Sequence, residues 1–397
     1  MLKFLSIIKL IVILSIILIN YRVYSDSSIL IPPTPMYLGA RPLGMGDAFV
    51  AVADDENTIF QNPAGIGLNN LKSKSILKSA SFPNISFSSN AYTTDLLGNY
   101  FNSFEYPSGI INKAVTNSDT NNIVFTRLSL FPNVVIGRFQ LGILVDSYVN
   151  GYTTKSNSIQ TSAYSTSASP LTYDRTFTLF SRDQYGPVMG FSYTFSRHIV
   201  LGLGSRFMQR ATKMNTIEAN QNGAIDASNK ASDKNVNYTY GFAFDTGIIL
   251  PLYDSINTKI AFSFLDVGDT TYKAASSSSS NEVEKMNIKG GLSISPDISK
   301  NVGTILSIEE ERINDPRVDD RNKLRAGCEF SFGEKTGANA PFSARLGYGM
   351  QTFSAGMSIY ILFANLEFAT YGESVPINNG YVIDRRYITK LTVDILN

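Results

Sequence analysis

The chain contains very few side chains that could perform covalent or metal chemistry. His198 is its only histidine and Cys328 is its only cysteine. A Ser-His-Asp triad, a His-rich metal site or a thiolate zinc site would have to be built around one of these two residues, and a disulfide within the chain is excluded. His198 falls in a short predicted turn, and Cys328 falls on the apolar face of a predicted strand. We therefore expect no catalytic residue, no metal site and no enzyme activity.

Nucleotide and nucleic-acid binding are equally disfavoured. The glycine pairs in 44–46 and 202–204 suggest phosphate-binding loops, but neither is followed by the Gly-Lys-Ser/Thr that such loops require. Lys plus Arg number 34 and Asp plus Glu number 33, so no net positive field attracts a polyanion. We expect no cofactor and no nucleic-acid partner.

A further set of candidate residues is charged and recurs at alternate positions of predicted strands, on the face that also carries small residues. We expect these side chains to face the interior of the fold: Arg206, Asp245, Lys259, Lys289, Arg325, Glu329 and Arg345. Two interpretations stay open, a structural ladder of ion pairs and a surface that contacts a solute. Two acidic clusters, 309–312 and 319–321, suggest either a divalent-cation site or charges that neutralise one another.

The elements that position these residues show a period of two. Met189, Phe191, Tyr193 and Phe195 alternate with small or polar residues, and the same division recurs in many later segments. The predicted strands run about 10 to 13 residues, long enough to cross a bilayer at a tilt. Charged residues make up only 17% of the chain, against about 25% in soluble domains. The pattern predicts an all-β protein, a transmembrane antiparallel β-barrel with lipid outside and a polar lumen inside.

Counting back from the C-terminus gives about fourteen strands, an even number as such barrels require. Among them are predicted strands at 122–131 and 134–148 and one within 82–106. Short turns alternate with long predicted loops at 149–185, 210–235, 267–285 and 310–321. Barrels of this kind have short periplasmic turns and long outer loops, so we expect the C-terminus on the periplasmic side.

Residues 1–25 have the layout of a secretory signal peptide, with two lysines, an apolar run and a polar end. An uncleaved membrane anchor is the alternative interpretation. Export by a cleaved signal peptide, together with the barrel, predicts localisation in the outer membrane of a bacterial cell.

The segment 26–80 does not follow the strand pattern, and we predict that it forms a hatch, a plug inside the lumen, ahead of a barrel over 81–397. Its small residues include Gly44 and Gly46, which permit close packing against the wall. Asp54 or Asp55 is a candidate N-cap for a short helix that Pro63 would end. The run Asn62, Pro63, Ala64 and Gly65 then closes the unit with turn chemistry.

The run 39–52, the pair 54–55 and the tetrad 62–65 resemble the N-terminal signature of FadL-like outer-membrane proteins, particularly the PorV/PorQ-type branch. Generic barrel hairpins such as 190–204 and 242–248 extend the resemblance over most of the chain. The resemblance implies a fourteen-stranded barrel with an N-terminal hatch. FadL-like members carry long-chain fatty acids or other hydrophobic compounds, whereas PorV-type members serve protein secretion. Asp47 and Glu367 depart from the family pattern, where glycine and Asp are usual.

Together these features predict a FadL-like transporter for hydrophobic small molecules such as long-chain fatty acids, with no covalent step. The alternatives are a PorV-type scaffold or shuttle for secreted proteins, a surface antigen without transport activity, and a passive hydrophilic pore. The expected partners are outer-membrane lipid, a hydrophobic small-molecule ligand and, for the scaffold alternative, proteins of a secretion system.

Overall fold

The computed structural model describes residues 36–37, 39–70, 77–94, 123–161, 172–219, 236–252, 255–277, 279–296, 298–299, 301–333, 340–377 and 380–395. The predicted signal peptide lies outside these residues.

Strands dominate the described chain. They are β1 (Leu77–Asn90), β2 (Ile123–Leu130), β3 (Asn133–Ile136), β4 (Phe139–Thr161), β5 (Thr172–Ser196), β6 (Ile199–Ala219), β7 (Val236–Pro251), β8 (Lys259–Leu265), β9 (Thr270–Ala274), β10 (Glu282–Glu284), β11 (Asn287–Ile294), β12 (Val302–Glu310), β13 (Leu324–Phe332), β14 (Phe342–Gly349), β15 (Thr352–Ile361), β16 (Ala364–Ile377) and β17 (Gly380–Asp394). The short helices are α1 (Ala40–Gly44), α2 (Thr58–Gln61), α3 (Gly65–Asn70) and α4 (Asp320–Lys323). No helix in the described ranges has the length and apolar character needed to cross a membrane.

The strands form one closed antiparallel sheet. β1 pairs with β17 on one side and with both β2 and β3 on the other, which closes the barrel. β2 with β3, β8 with β9, and β10 with β11 each make up one interrupted strand of the wall, so the wall has fourteen strands. The predicted strand count and the predicted antiparallel barrel are confirmed. Because the sheet is closed, every described strand of the wall has a partner on both sides over the paired part of the barrel.

The two faces of the wall differ as the alternation predicts. Tyr238, Tyr240, Phe242 and Phe244 are exposed on the outside of β7. The residues between them point inward and are buried, including Asp245. Large apolar side chains thus cover the outer surface, while the polar and charged ones are enclosed.

Several strand boundaries differ from the sequence-based prediction. Parts of the predicted loops 149–185, 210–235 and 267–285 belong to strands, because β4, β5 and β6 continue well past the apolar region and β9 and β10 lie within 267–285. Pairing needs only backbone groups and tolerates Thr-rich sequence, so a strand can continue where the apolar alternation ends. The prediction of one strand over 134–148 is also wrong. A turn at Gly137, with φ of 56°, separates β3 from β4.

Candidate functional site

The hatch, described over residues 36–37 and 39–70, lies inside the lumen. Its helix α1 contacts β14, β15, β16 and β17, and α3 contacts β5 and β6. Almost every described hatch side chain is buried, and Met45, Phe49 and Asn62 are 0% exposed. A segment of four- to six-residue helices could not bury this much of its surface alone. The wall therefore positions the hatch.

The predicted turn 62–65 lies against β6, β7 and β8. Asn62 accepts a hydrogen bond from the amide of Ala64 at 3.1 Å and donates to the carbonyl of Val50 at 3.0 Å. It also donates to the wall carbonyl of Phe262 at 3.4 Å. A Cβ at Gly247 of the wall would lie 1.9 Å from Asn62 Oδ1. Asn62 thus joins two parts of the hatch to a wall that has no side chain at the contact.

Gly44 and Gly46 lie against the opposite wall. A Cβ on Gly46 would lie 2.6 Å from the backbone N and O of Tyr348, and one on Gly44 would lie 3.1 Å from the Cα of Gly356. The wall also presents glycine here, at Gly347. Backbone therefore contacts backbone along this seam, which leaves no room for a larger residue on either side.

Asp47 has φ of 64°, in the left-handed region that favours glycine. Aspartate is among the few other residues that adopt this conformation readily. Its carboxylate accepts a hydrogen bond from Gln61 Nε2 at 3.0 Å and so links two parts of the hatch that are 14 positions apart.

The Asp54/Asp55 N-cap prediction is wrong. Asn57 occupies the N-cap of α2, and Asp55 accepts hydrogen bonds from the backbone N and side-chain Nδ2 of Asn57, both at 2.9 Å. Asp54 and Asp55 also accept from Arg41, at 2.6 and 3.1 Å. Both carboxylates therefore form ion pairs with the buried Arg41, and the local sequence gives no sign of this pairing.

Arg41 forms a bidentate charged contact between hatch and wall. Its Nε and Nη2 donate to the two carboxylate oxygens of Glu329 at 2.7 and 2.9 Å. Arg345, on the neighbouring strand, donates to the same carboxylate at 2.6 Å. Arg41 and Glu329 are both 0% exposed. A buried bidentate pair of this kind is strong and geometrically specific.

A second charged contact involves Glu309. Its Oε2 accepts hydrogen bonds from the hatch amides of Phe49 and Val50, both at 2.7 Å. Lys289 Nζ lies 3.5 Å from Glu309 Oε1 and donates to Gln61 of the hatch at 2.8 Å. Glu309, the first residue of the acidic cluster 309–312, precedes the predicted loop 310–321; it lies within β12 and points inward. Ile305, Ser307 and Glu309 occupy every second position of β12 and therefore share one face, and this spacing is the sequence signal for the inward orientation of Glu309.

The remaining predicted inward residues also lie in the lumen. Lys259 donates to the hatch carbonyl of Val52 at 3.4 Å. Arg206 pairs with Asp245 at 2.8 Å, and Arg325 pairs with Glu311 at 3.1 Å. The structure therefore brings the seven predicted residues into one lumen. It also shows hatch and wall partners that were not predicted from the sequence. Among them are Lys390 of the wall and Glu56 of the hatch, which form an ion pair, and Glu367 lies 4.0 Å from Lys390.

An apolar group lies beside the hatch within this charged interior. This aromatic cluster contains nine buried residues: Met36, Tyr37, Ile59, Phe60, Phe131, Leu144, Val188, Met208 and Tyr272. The ring centroids of Tyr37 and Phe60 are 4.8 Å apart, as are those of Phe60 and Phe131. The cluster joins hatch to wall without any charge, and no local pattern in the sequence predicts it.

The other singled-out residues lie away from the hatch. His198 is in the β5–β6 turn, with Nδ1 3.1 Å from the carbonyl oxygen of Pro251. Cys328 is half-buried in β13 on the outward face.

In the acidic loop between β12 and β13, carboxylates pair with nearby cations. The hydrogen bonds from Arg317 lower the pKa of Asp315, and that from Arg321 lowers the pKa of Asp319. Within the described residues, no group of three His, Cys, Asp or Glu side chains is arranged to hold a metal ion. These carboxylates therefore act in local ion pairs.

The chain matches no family model and no curated protein. Among solved structures, it is similar to the toluene transporter TbuX of Ralstonia pickettii, with 12% identity over 91% of this chain and 99% of that one, and a TM-score of 0.47. The monoaromatic hydrocarbon channel CymD shows 9% identity over 91% and 98%, with a TM-score of 0.46. A Pseudomonas aeruginosa FadL homologue shows 8% identity over 92% and 98%, with a TM-score of 0.34. The structural neighbours thus include a FadL homologue, as the sequence resemblance suggests, while the fold itself rests on the strand pairing described above.

Proposed function

We propose that the chain is an outer-membrane β-barrel protein through which hydrophobic small molecules pass when the hatch moves. The observation that carries the proposal is the aromatic cluster, where apolar side chains of the hatch meet those of the wall in a lumen that also encloses many paired charges. Such a site would retain an apolar molecule at the point where the hatch closes the lumen.

The outer surface supports a location in a bilayer. Large apolar side chains are exposed around the wall, with Phe353 at 75% and Phe242 at 63%. Soluble monomers rarely expose apolar patches larger than a few hundred Å², so apolar exposure around a whole sheet indicates a lipid environment. β13, β14 and β15 have 9, 8 and 10 residues, close to the length of a tilted strand that crosses the hydrocarbon.

The charges beside the aromatic cluster favour an uncharged substrate. Arg206 pairs with Asp245, and Arg210 pairs with Glu284 at 2.8 Å while stacking on Tyr272 of the cluster. A fatty-acid carboxylate would have to displace one of these internal carboxylates. We therefore propose neutral hydrophobic molecules as the preferred substrates, ahead of long-chain fatty acids.

The proposed path needs no covalent step. An apolar molecule would enter from the outer loops, bind at the aromatic cluster and leave on the periplasmic side when the hatch moves. The ion pair of Arg41 with Glu329 and the hydrogen bonds from hatch amides to Glu309 would hold the hatch in place between passages.

The test is a reversible cross-link between hatch and wall. Gly291 of β11 faces the hatch, and a Cβ there would lie 2.6 Å from Val50 Cγ1. We would combine Val50→Cys and Gly291→Cys with Cys328→Ala, which removes the native thiol. Outer-membrane vesicles carrying this variant would be tested for uptake of radiolabelled naphthalene and oleate. We expect oxidation to abolish naphthalene uptake and reduction to restore it. In the reduced state, oleate uptake should be slower than naphthalene uptake.

The same measurement separates the alternatives. Uptake at background level in both redox states would refute transport and favour a secretion scaffold or a surface antigen. A steady single-channel conductance of the oxidised variant in planar bilayers would instead support a hydrophilic pore that the hatch does not close.

A further inference from the structure

A shallow groove runs along the outward face of the wall from β12 to β17, with a volume of about 650 Å³. Small residues form its floor, namely Ala326, Cys328 and Ala355. Leu346 and Phe353, which are exposed, border it. A depression of this shape between large side chains matches an acyl chain lying along the wall.

Arg385 lies at this groove and interrupts the apolar pattern of β17. Its neighbours on the outward face, Ile383 and Tyr387, are exposed apolar or aromatic residues, whereas Asp384 and Arg386 point inward. The guanidinium donates to the backbone carbonyl of Phe353 at 2.6 Å. Among the described residues, no carboxylate forms a salt bridge with it. An arginine on a lipid-facing surface is costly at mid-membrane depth and tolerated near the interface.

The strand pairing places Arg385 near the outer rim. It pairs with Gly372 of β16. Gly372 lies on the outer side of the pair between Ala355 and Thr370, which is the outermost pair between β15 and β16. The β14–β15 hairpin ends close by, in a two-residue turn at 350–351, on the same side as the other outer connections. The cation therefore lies level with the outer ends of β14 and β15, where we infer that lipid headgroups contact the wall, and the groove extends from it along the apolar outer face.

One further polar atom lies in the groove. The hydroxyl of Thr370 is buried and has no hydrogen-bond partner among the described residues. Thr370 pairs with Tyr387, two positions from Arg385 along β17. A hydroxyl donor beside a guanidinium provides hydrogen bonds for the oxygens of an anionic headgroup.

We propose that this groove binds a lipid of the outer leaflet, with its phosphate against Arg385 and Thr370 and one acyl chain in the groove. The proposal rests on the proposed membrane location. Arginine presents a planar array of donors that matches phosphate and carries a permanent positive charge. The groove supplies apolar contact for the chain, so headgroup and chain are recognised together.

The test is native mass spectrometry of the full chain released from detergent micelles. Equal amounts of phosphatidylglycerol and uncharged diacylglycerol would be offered as probes. We expect retention of one phosphatidylglycerol and about a tenfold or greater loss of it in Arg385→Gln, the size of effect of a lost hydrogen bond to a charged group. Cys328→Phe, which fills the groove floor without touching the headgroup, should also reduce retention.

Lys273→Gln is the matched control, because Lys273 is an exposed cation on an outward position of β9, away from the groove. Retention unchanged in Arg385→Gln, or reduced equally in Lys273→Gln, would overturn the proposal. So would full competition by inorganic phosphate with no effect of Cys328→Phe, because the headgroup alone would then bind. Naphthalene uptake by Arg385→Gln should equal that of the wild type. The lipid proposal and the transport proposal can therefore fail separately.

Discussion

Removing the charge of Glu329 should release the hatch. In Glu329→Gln the shape of the side chain is kept, but the two charged hydrogen bonds from Arg41, at 2.7 and 2.9 Å, are replaced by at most one bond to a neutral amide oxygen. Asp54 and Asp55 stay with Arg41 because they belong to the hatch. The substitution therefore weakens docking while leaving the charges within the hatch unchanged.

The increase in the undocked population follows from the contact between Arg41 and Glu329 alone. Arg345 and Glu329 are both on the wall, so their contact is present whether or not the hatch is docked. Hydrogen bonds to charged groups contribute about 1.5–3 kcal/mol. At about 1.4 kcal/mol for each factor of ten, the undocked population should rise roughly 10- to 150-fold.

The assay is the labelling rate of a cysteine in the hatch. Val50→Cys in the Cys328→Ala background places a small thiol at a position that is 0% exposed. A water-soluble thiol reagent reaches this thiol only when the hatch has left its docked position, so the labelling rate follows the population of molecules with an undocked hatch. We expect Glu329→Gln to raise the rate by the factor given above.

Glu284→Gln is the control, because Glu284 pairs with Arg210 within the wall at 2.8 Å and has no hatch partner among the described hydrogen bonds. It should label at the wild-type rate. Equal rates for Glu329→Gln and the wild type would refute the assignment of Arg41 as the hatch contact. A rise in both variants would show a general loosening of the barrel instead.

Three further outcomes are expected. Gly247→Ala should increase hatch labelling, because its Cβ would lie 1.9 Å from Asn62 Oδ1; an unchanged rate would contradict the described contact. Leu203→Arg, on the outward face, should destabilise the folded barrel by about 2–4 kcal/mol, as measured by urea titration in lipid vesicles, whereas Leu362→Arg in an exposed turn should cost almost nothing. The lowered pKa of Asp315 means that its loop is stabilised above the ordinary carboxyl pKa, about 4, and that this contribution is lost as the pH falls through the lowered value. Hydrogen exchange in 311–319 should therefore accelerate in acid, and Asp315→Asn should remove that pH step.

The faces of the strands could be predicted from the sequence because they follow from a local rule. Successive side chains of a strand point to opposite sides, so Phe242 and Asp245 had to face different surroundings whatever their partners. Bilayer thickness similarly sets the length of each apolar segment, which made the strand count predictable. The ends of β4, β5 and β6 were mispredicted because no apolar alternation marks where backbone pairing stops.

The candidate site was only partly predictable. The sequence identified Glu329 and Arg345 as inward charges, and the glycines and the turn at 62–65 as a compact segment. It did not pair Glu329 with Arg41, 288 positions earlier, or place Glu309 on the hatch amides. Such contacts depend on the register and closure of all the strands. Composition and alternation alone therefore determined a barrel with a charged interior. The tertiary structure decided which charges hold the hatch, where the aromatic cluster forms and that Arg385 lies beside an outer groove. Each of these depends on residues that become adjacent only after the sheet closes.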